Sequence, residues 1–345
     1  MTHPTSDAPR SRLWRRAVAL VAAGLALHVV APGLIALAGA LPQLRRIRPQ
    51  WFLLMAAAEL GSLGGAWALM RVATPGLGWR TAAASQLAGN AVSRVLPGGA
   101  AVGSAVTYRI WARSGVLPGP AASGLVVTSI VSTLTLLALP ASALLVATLG
   151  APVPRGLLIL ALGVLGLAVA LSGFAALLLF NDNAAELAHR GIARVVRLFS
   201  RRDAAAGSVT TWLSERHEMR TLLGNRWRVA LGASVANWGL DIAALVLALT
   251  AVGSRPHVSL VVLAYVTGAV LGMIPITPGG LGFVEAGLLG SLALAGVPTS
   301  DALIAVLAYR VVSYWLPIVI GLGFYGRLRS RHGFSEVDHQ PASGA

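Results

Sequence analysis

The chain contains no cysteine and no lysine, and only 11% of its 345 residues are charged. Without cysteine, disulfides and thiolate metal sites are excluded. The seven histidines lie apart, with no HxxxH or HExxH spacing, so neither a metal site nor a cofactor is expected. The basic residues, 27 against 12 acidic ones, are all arginine and give a net charge of +15. They flank apolar runs, which reads as loop orientation in a bilayer, and no nucleic-acid partner is expected.

What the chain does have is apolar length. Hydrophobic residues make up 56%, and the mean hydropathy of +0.75 lies far from that of a soluble domain. Runs able to cross a bilayer, which takes about 20 residues, occupy 17–40, 51–70, 119–149, 156–180, 227–251 and 302–326, with a borderline run at 258–274. The expected fold is an all-α polytopic membrane protein of about seven spanning helices. It divides into an N-terminal tail (1–16), a single transmembrane domain (17–326) and a C-terminal tail (327–345). The first run is too long for the core of a cleaved signal and reads as a retained helix.

Arginines gather at 10–16, 71–113, 190–228 and 327–331, and the positive-inside rule puts all four groups, with both termini, in the cytoplasm. The arginines of LRRIRPQ (44–50) dissent, since the same assignment leaves that loop outside. Segment 181–226 sets Leu187, Ile192, Val195, Val196 and Phe199 at helical spacing among arginines. It is expected to lie as an amphipathic helix on the anionic cytoplasmic leaflet.

Two stretches are related. VLPGGAAVGSAVTYRIWARSGV (95–116) and ITPGGLGFVEAGLLGSLALAGV (276–297) superpose without a gap at a shift of 181 residues. Pro97, Gly98 and Gly99 fall on Pro278, Gly279 and Gly280, and Gly115 on Gly296. Each PGG is preceded by a helix carrying one carboxylate, Glu59 and Asp241, 38 and 37 residues upstream of the respective proline. The arginine assignment makes the first segment start and end inside and the second start and end outside. Halves at roughly 51–150 and 227–326 would then form an inverted-topology repeat with two re-entrant or broken-helix elements. Proline removes an amide donor and Gly-Gly opens unusual backbone angles, so a helix breaks there. The half-helix that follows offers free amides suited to an anionic headgroup.

Ionisable groups in apolar surroundings are Glu59, Arg94, Arg109, Asp241, Glu285 and Arg310. At membrane depth each costs at least about 2.5 kcal/mol, so they are expected to pair or to line a polar pathway. Glu285 should meet Arg310 beside the second PGG, near Asn90 and Arg109 from the first half. Asp301 reads as a first-turn dipole partner, and Trp14, Trp51, Trp79, Trp111, Trp227 and Trp315 as interface anchors.

Residues 273–285, with LAGNAVSRVLPGGAAVGSAVTYR (87–109) and LAYRVVSYWLP (307–317), resemble the transmembrane region of the lysylphosphatidylglycerol synthase family, the flippase-like membrane proteins. The resemblance implies site residues Pro278, Gly279, Gly280, Gly282, Glu285, Tyr309 and Arg310, and in the first half Asn90, Pro97, Gly98, Gly99, Tyr108 and Arg109. It also implies a bacterial cytoplasmic-membrane protein that moves an anionic, aminoacylated or polyprenyl-linked lipid between leaflets. Nothing after 326 resembles the family's aminoacyl-transferase domain, so a separate lipid-modifying enzyme is the expected partner and the chain itself is not read as an enzyme. Many relatives carry a charged PGRxGE-like first motif, whereas Gly99 and Ser104 stand here. Two readings compete with translocation: a non-transporting scaffold or regulatory subunit, and an intramembrane transferase, for which the chain offers no paired carboxylates at short spacing.

Overall fold

The computed structural model describes residues 47–95, 99–147, 153–180, 209–272, 280 and 282–321, with scattered positions between 39 and 45. Every regular element among them is helical: α1 (Pro49–Ala73), α2 (Trp79–Val95), α3 (Gly99–Arg113), α4 (Pro118–Ala147), α5 (Arg155–Phe180), α6 (Val209–Ala251), α7 (Val258–Gly272), α8 (Phe283–Leu294) and α9 (Thr299–Arg310). A π-turn, Val311–Trp315, follows α9, and helix resumes to residue 321. The first expected span (17–40), both tails, segment 181–208 and the positions Pro97, Gly98, Pro278 and Gly279 lie outside the described residues.

Stretches of 23 to 28 residues, Pro49–Ala73, Pro118–Leu145, Arg226–Ala251 and Thr299–Gly321, are long and apolar enough to cross a bilayer. At 1.5 Å per residue they exceed the roughly 30 Å of hydrocarbon. The helices beside the PGG motifs are shorter: α2 and α3 have 17 and 15 residues, α7 and α8 have 15 and 12. Each reaches only about 18 to 26 Å, so each pair packs as a hairpin of half-length helices.

The repeat is visible in backbone detail. After α3, Gly115 takes φ 87° while Val116 N–H donates to Trp111 O at 3.1 Å. After α8, Gly296 takes φ 84° while Val297 N–H donates to Leu292 O at 3.0 Å. Both are left-handed closures that relieve the last carbonyls of a helix, and both fall on positions the 181-residue shift equates. The halves also correspond in packing. α1 contacts α2 and α4 of its own half, and α6 contacts α7 and α9; across the halves α4 lies on α6 and the π-turn on α1.

The first helices of the halves, α1 and α6, form the central crossing. Gly65 faces Ala233 and Asn237, Ser62 Oγ donates to Asn237 Oδ1 at 3.2 Å, Gly61 faces Leu240, and Glu59 reaches Asp241. As one number falls the other rises, so equivalent helices run antiparallel, as inversion requires. A Cβ on Gly65 would lie 2.7 Å from Asn237 N and 2.8 Å from Ala233 O, so only glycine permits this backbone approach. Gly61 and Gly65 form a GxxxG pair, a sign of helix contact that the sequence displays and that the expectations above did not use.

Two sequence expectations change. Residues 209–226 are not a separate surface element, because one uninterrupted helix runs from Val209 to Ala251 and carries them out along the axis of the span. Trp111 is not an interface anchor: it is fully buried, its Nε1 donating to Ser85 Oγ at 2.8 Å.

Single cysteines at Gly78, Leu117, Arg255 and Pro298, all exposed positions, are expected to react with an impermeant thiol reagent from the cytoplasm for the first two and from outside for the last two. Reaction of Gly78 and Leu117 from different faces would refute the re-entrant hairpin. Gly65→Val should cost about 1 to 3 kcal/mol by overpacking the crossing, read as a lower thermal midpoint in detergent. Gly64→Ala, where an added Cβ meets nothing within 4 Å, should leave the midpoint unchanged or raise it.

Candidate functional site

Six helices and the π-turn converge on a cavity of about 160 Å³ between the halves. It is lined by Glu59 (α1), Arg94 (α2), Asp241 (α6), Tyr265 (α7), Tyr309 and Arg310 (α9) and Ser313 of the π-turn, and closed by Ala269, Val284 and Leu288.

On the α8 side, Gly282 at φ 86° turns the chain into the helix, and its N–H donates to Glu285 Oε2 at 2.7 Å. Glu285, at the third helical position, thus supplies the reciprocal half of a capping box, and its charge meets the positive end of the helix. Its other oxygen, Oε1, accepts from Arg310 Nε at 2.6 Å, a charge-assisted bond. Gly280, buried at φ 68°, lies two positions before Gly282. Arg310 Nη2 is buried and has no hydrogen-bond partner, which leaves one guanidinium donor on the cavity wall.

On the opposite wall Arg94 reaches into the backbone of the last helix. Its Nη1 donates to Ser313 O at 3.1 Å and Tyr314 O at 2.6 Å, and Tyr314 OH donates back to Arg94 O at 3.2 Å. The acceptors are free for a reason written in the chain: Pro317 lacks the amide that would close an i→i−4 bond on Ser313 O, and the π-turn shifts neighbouring bonds to i→i−5. Both guanidiniums also lie over the ring of Tyr314, Arg94 at 4.8 Å and Arg310 at 4.4 Å from its centroid. The ring's π-electrons attract both cations.

Two acids, one from the first helix of each half, line the same cavity. Asp241 accepts from Tyr265 OH at 2.6 Å through Oδ2 and from Tyr309 OH at 2.8 Å through Oδ1. The Glu59 carboxyl lies within hydrogen-bonding reach of Asp241, and the side chain is buried at 5% exposure. No donor reaches Glu59 Oε2, and Ser313 Oγ is likewise buried and unpartnered. Among the described residues no cluster of His, Asp and Glu suits a metal ion.

The expected pairing of Glu285 with Arg310 is therefore present in the geometry, and Tyr309 and both helix carboxylates join it. The first half contributes differently from the expectation. Arg109 is exposed on α3 and does not line the cavity; Tyr108 packs against the cluster of Met70, Leu77 and Trp111; and Asn90 is half-buried on α2 away from the cavity wall. Arg94, four residues after Asn90 and so one turn further along α2, takes that place. Gly99 opens α3. Tyr265, Ser313 and Tyr314 were not anticipated. Asp301 sits in the first turn of α9 as expected and accepts from Ser254 Oγ at 2.9 Å.

The sequence profile of the lysylphosphatidylglycerol synthase TM region matches residues 14–321. The chain belongs to that family. The match contains every helix described, so this family's transmembrane region is a multi-pass helical membrane protein in this instance. Two proteins of Methanothermobacter thermautotrophicus, each named UPF0104 membrane protein, are similar to the chain at 35% identity over 89 residues and 34% over 87 residues. These stretches cover 26% and 25% of the chain and 25% of each relative, so the match spans a quarter of the curated relatives' length.

Arg94→Leu leaves two carbonyls without a donor inside the bundle and should lower stability by about 3 kcal/mol, read in a detergent unfolding assay. Tyr314→Phe keeps the ring under both guanidiniums and removes one hydrogen bond, so a loss of only about 1 kcal/mol is expected.

Proposed function

We propose that this family member translocates a lipid with an anionic headgroup group across the cytoplasmic membrane, using the cavity between its halves as the headgroup site. The observation that carries the reading is the pair of arginines held over Tyr314, with Arg310 Nη2 and Ser313 Oγ lining the cavity unpartnered. A guanidinium donor and a hydroxyl donor beside each other complement a phosphate, whose oxygens accept several hydrogen bonds at once. The α8 N-terminus, where Glu285 takes the Gly282 N–H, adds its positive field. The antiparallel halves supply the second requirement of alternating access, two related bundles able to rock about a shared site. A separate lipid-modifying enzyme would supply or consume the lipid, and the basic segment before the sixth helix would meet the anionic leaflet.

A scaffold reading draws on one observation: both oxygens of Glu285 are committed to local structure, Oε1 to Arg310 and Oε2 to Gly282 N–H. The two readings part in vesicles reconstituted with fluorescent short-chain phosphatidylglycerol, whose movement between leaflets is followed by quenching from outside. Arg310→Lys keeps the charge but loses the planar fork, and Glu285→Gln keeps the shape but loses the charge. Each is expected to slow lipid movement by about tenfold, a loss near 1.4 kcal/mol, at equal insertion. Rates within twofold of the parent for both variants would favour the scaffold.

A further inference from the structure

We infer that Glu59 and Asp241 form a binding site for one exchangeable proton, and that its occupancy is linked to the anion in the cavity. The coupling half of this inference rests on the translocation reading; the proton site itself does not.

Two carboxyl groups within hydrogen-bonding reach of one another are both acceptors when ionised, and one proton turns the contact into a donor–acceptor pair. The surroundings decide which group carries it. Asp241 receives a tyrosine hydroxyl on each oxygen, the environment of an anion. Glu59 has no donor on Oε2 and is buried, the environment of a neutral acid whose single hydrogen points to Asp241. Ser313 Oγ, also buried without a partner on the same cavity, marks an interior that accommodates a further polar guest.

The charges around the pair give the same result. From α2 it faces Arg94; from α7, Tyr265; from α9, Tyr309 and Arg310; from the π-turn, Tyr314; and from α8, Glu285. Arg310 is matched by Glu285, so Arg94 is the cation left for two carboxyls. With both ionised the cluster carries one surplus negative charge at a place where an anion is to bind. With one proton bound it is neutral, and an incoming phosphate meets Arg310 Nη2 without that repulsion. Proton uptake from water forms one O–H bond on Glu59 and breaks none in the protein, so headgroup entry favours protonation and protonation favours headgroup entry to the same extent.

The location follows from the inversion. Glu59 and Asp241 lie one residue from equivalent positions on antiparallel helices, since the 181-residue shift carries Glu59 to position 240, and residues near the axis relating two inverted halves meet close to their own counterparts. Any rocking of the halves acts on this contact directly, which is where a coupled proton exerts its effect.

The test uses the full chain in phosphatidylcholine vesicles, followed by infrared difference spectroscopy while pH is raised. The parent is expected to show the carbonyl stretch of one buried carboxylic acid near neutrality, lost at high pH. That band should vanish in Glu59→Gln and diminish or shift in Asp241→Asn, and persist in Asp301→Asn, which alters an acid outside the cavity. Absence of the band in the parent, or its persistence unchanged in Glu59→Gln and Asp241→Asn, overturns the proton site. A second arm measures transbilayer movement of fluorescent phosphatidylglycerol under an imposed pH gradient. The parent rate should change several-fold, bounded at about tenfold per pH unit for one proton, and the Glu59→Gln rate should not respond. A parent rate indifferent to the gradient overturns the coupling. A parent that shows the band but moves no lipid overturns the translocation reading and leaves the proton site standing.

Discussion

A polar group inside a bilayer must find its partner in the protein, because lipid offers none and each failure costs several kcal/mol. The arrangement of this molecule follows from that constraint. Two hairpins of helices too short to cross bring helix ends toward the interior, and among the described residues side chains meet two such places. Glu285 answers the amide of Gly282, and Arg94 answers the carbonyls freed around Pro317. Charges introduced to satisfy the backbone then need counter-charges, and Arg310, Tyr314, Asp241 and Glu59 form the chain of answers. The cavity is what remains where that chain is incomplete.

The central crossing allows the network to close. Gly61 and Gly65 bring α1 against α6 so nearly that side chains as short as Ser62 and Asn237 bond directly. Leucines such as Leu53 and Leu60 turn outward on the same helix, suited to acyl chains. Because lipid is as apolar as leucine, burial contributes little to holding these helices together; close packing and the interhelical polar bonds contribute the specificity. The same bonds that fix the fold therefore build the site, and few of them can be altered for one purpose alone.

Much of this was legible in the sequence. Hydropathy marked the long helices, and the PGG motifs marked the hairpins. The 181-residue shift matched glycines that close α3 and α8 with the same hydrogen bonds. Glu285 and Arg310 were paired because a lone charge in an apolar run demands a partner. Arg94 was visible as such a charge, but its partners are backbone carbonyls 219 and 220 residues away, which no motif spells out. Pro317 was the available signal, since a proline late in an apolar helix leaves an acceptor behind it. Arg109 drew attention as part of TYR, matching the family pattern, yet α3 turns it outward. Helical phase within a hairpin depends on where its second helix begins, and no motif in the sequence fixes that α3 begins at Gly99.

The π-turn has a geometric consequence for the end of the bundle. An α-helix advances about 100° per residue, so one extra residue accommodated in a single wide turn rotates everything beyond it by about that angle. A helical wheel drawn from Thr299 straight through to Gly321 therefore assigns the wrong faces after Trp315. With the rotation included, Gly321 comes against the backbone carbonyl of Leu87 on α2, a meeting that leaves no room for a side chain. Val311–Trp315 acts as a phase shifter: the first part of the helix aims Tyr309 and Arg310 at the cavity, and the last turn is re-aimed to seat on the first half's hairpin.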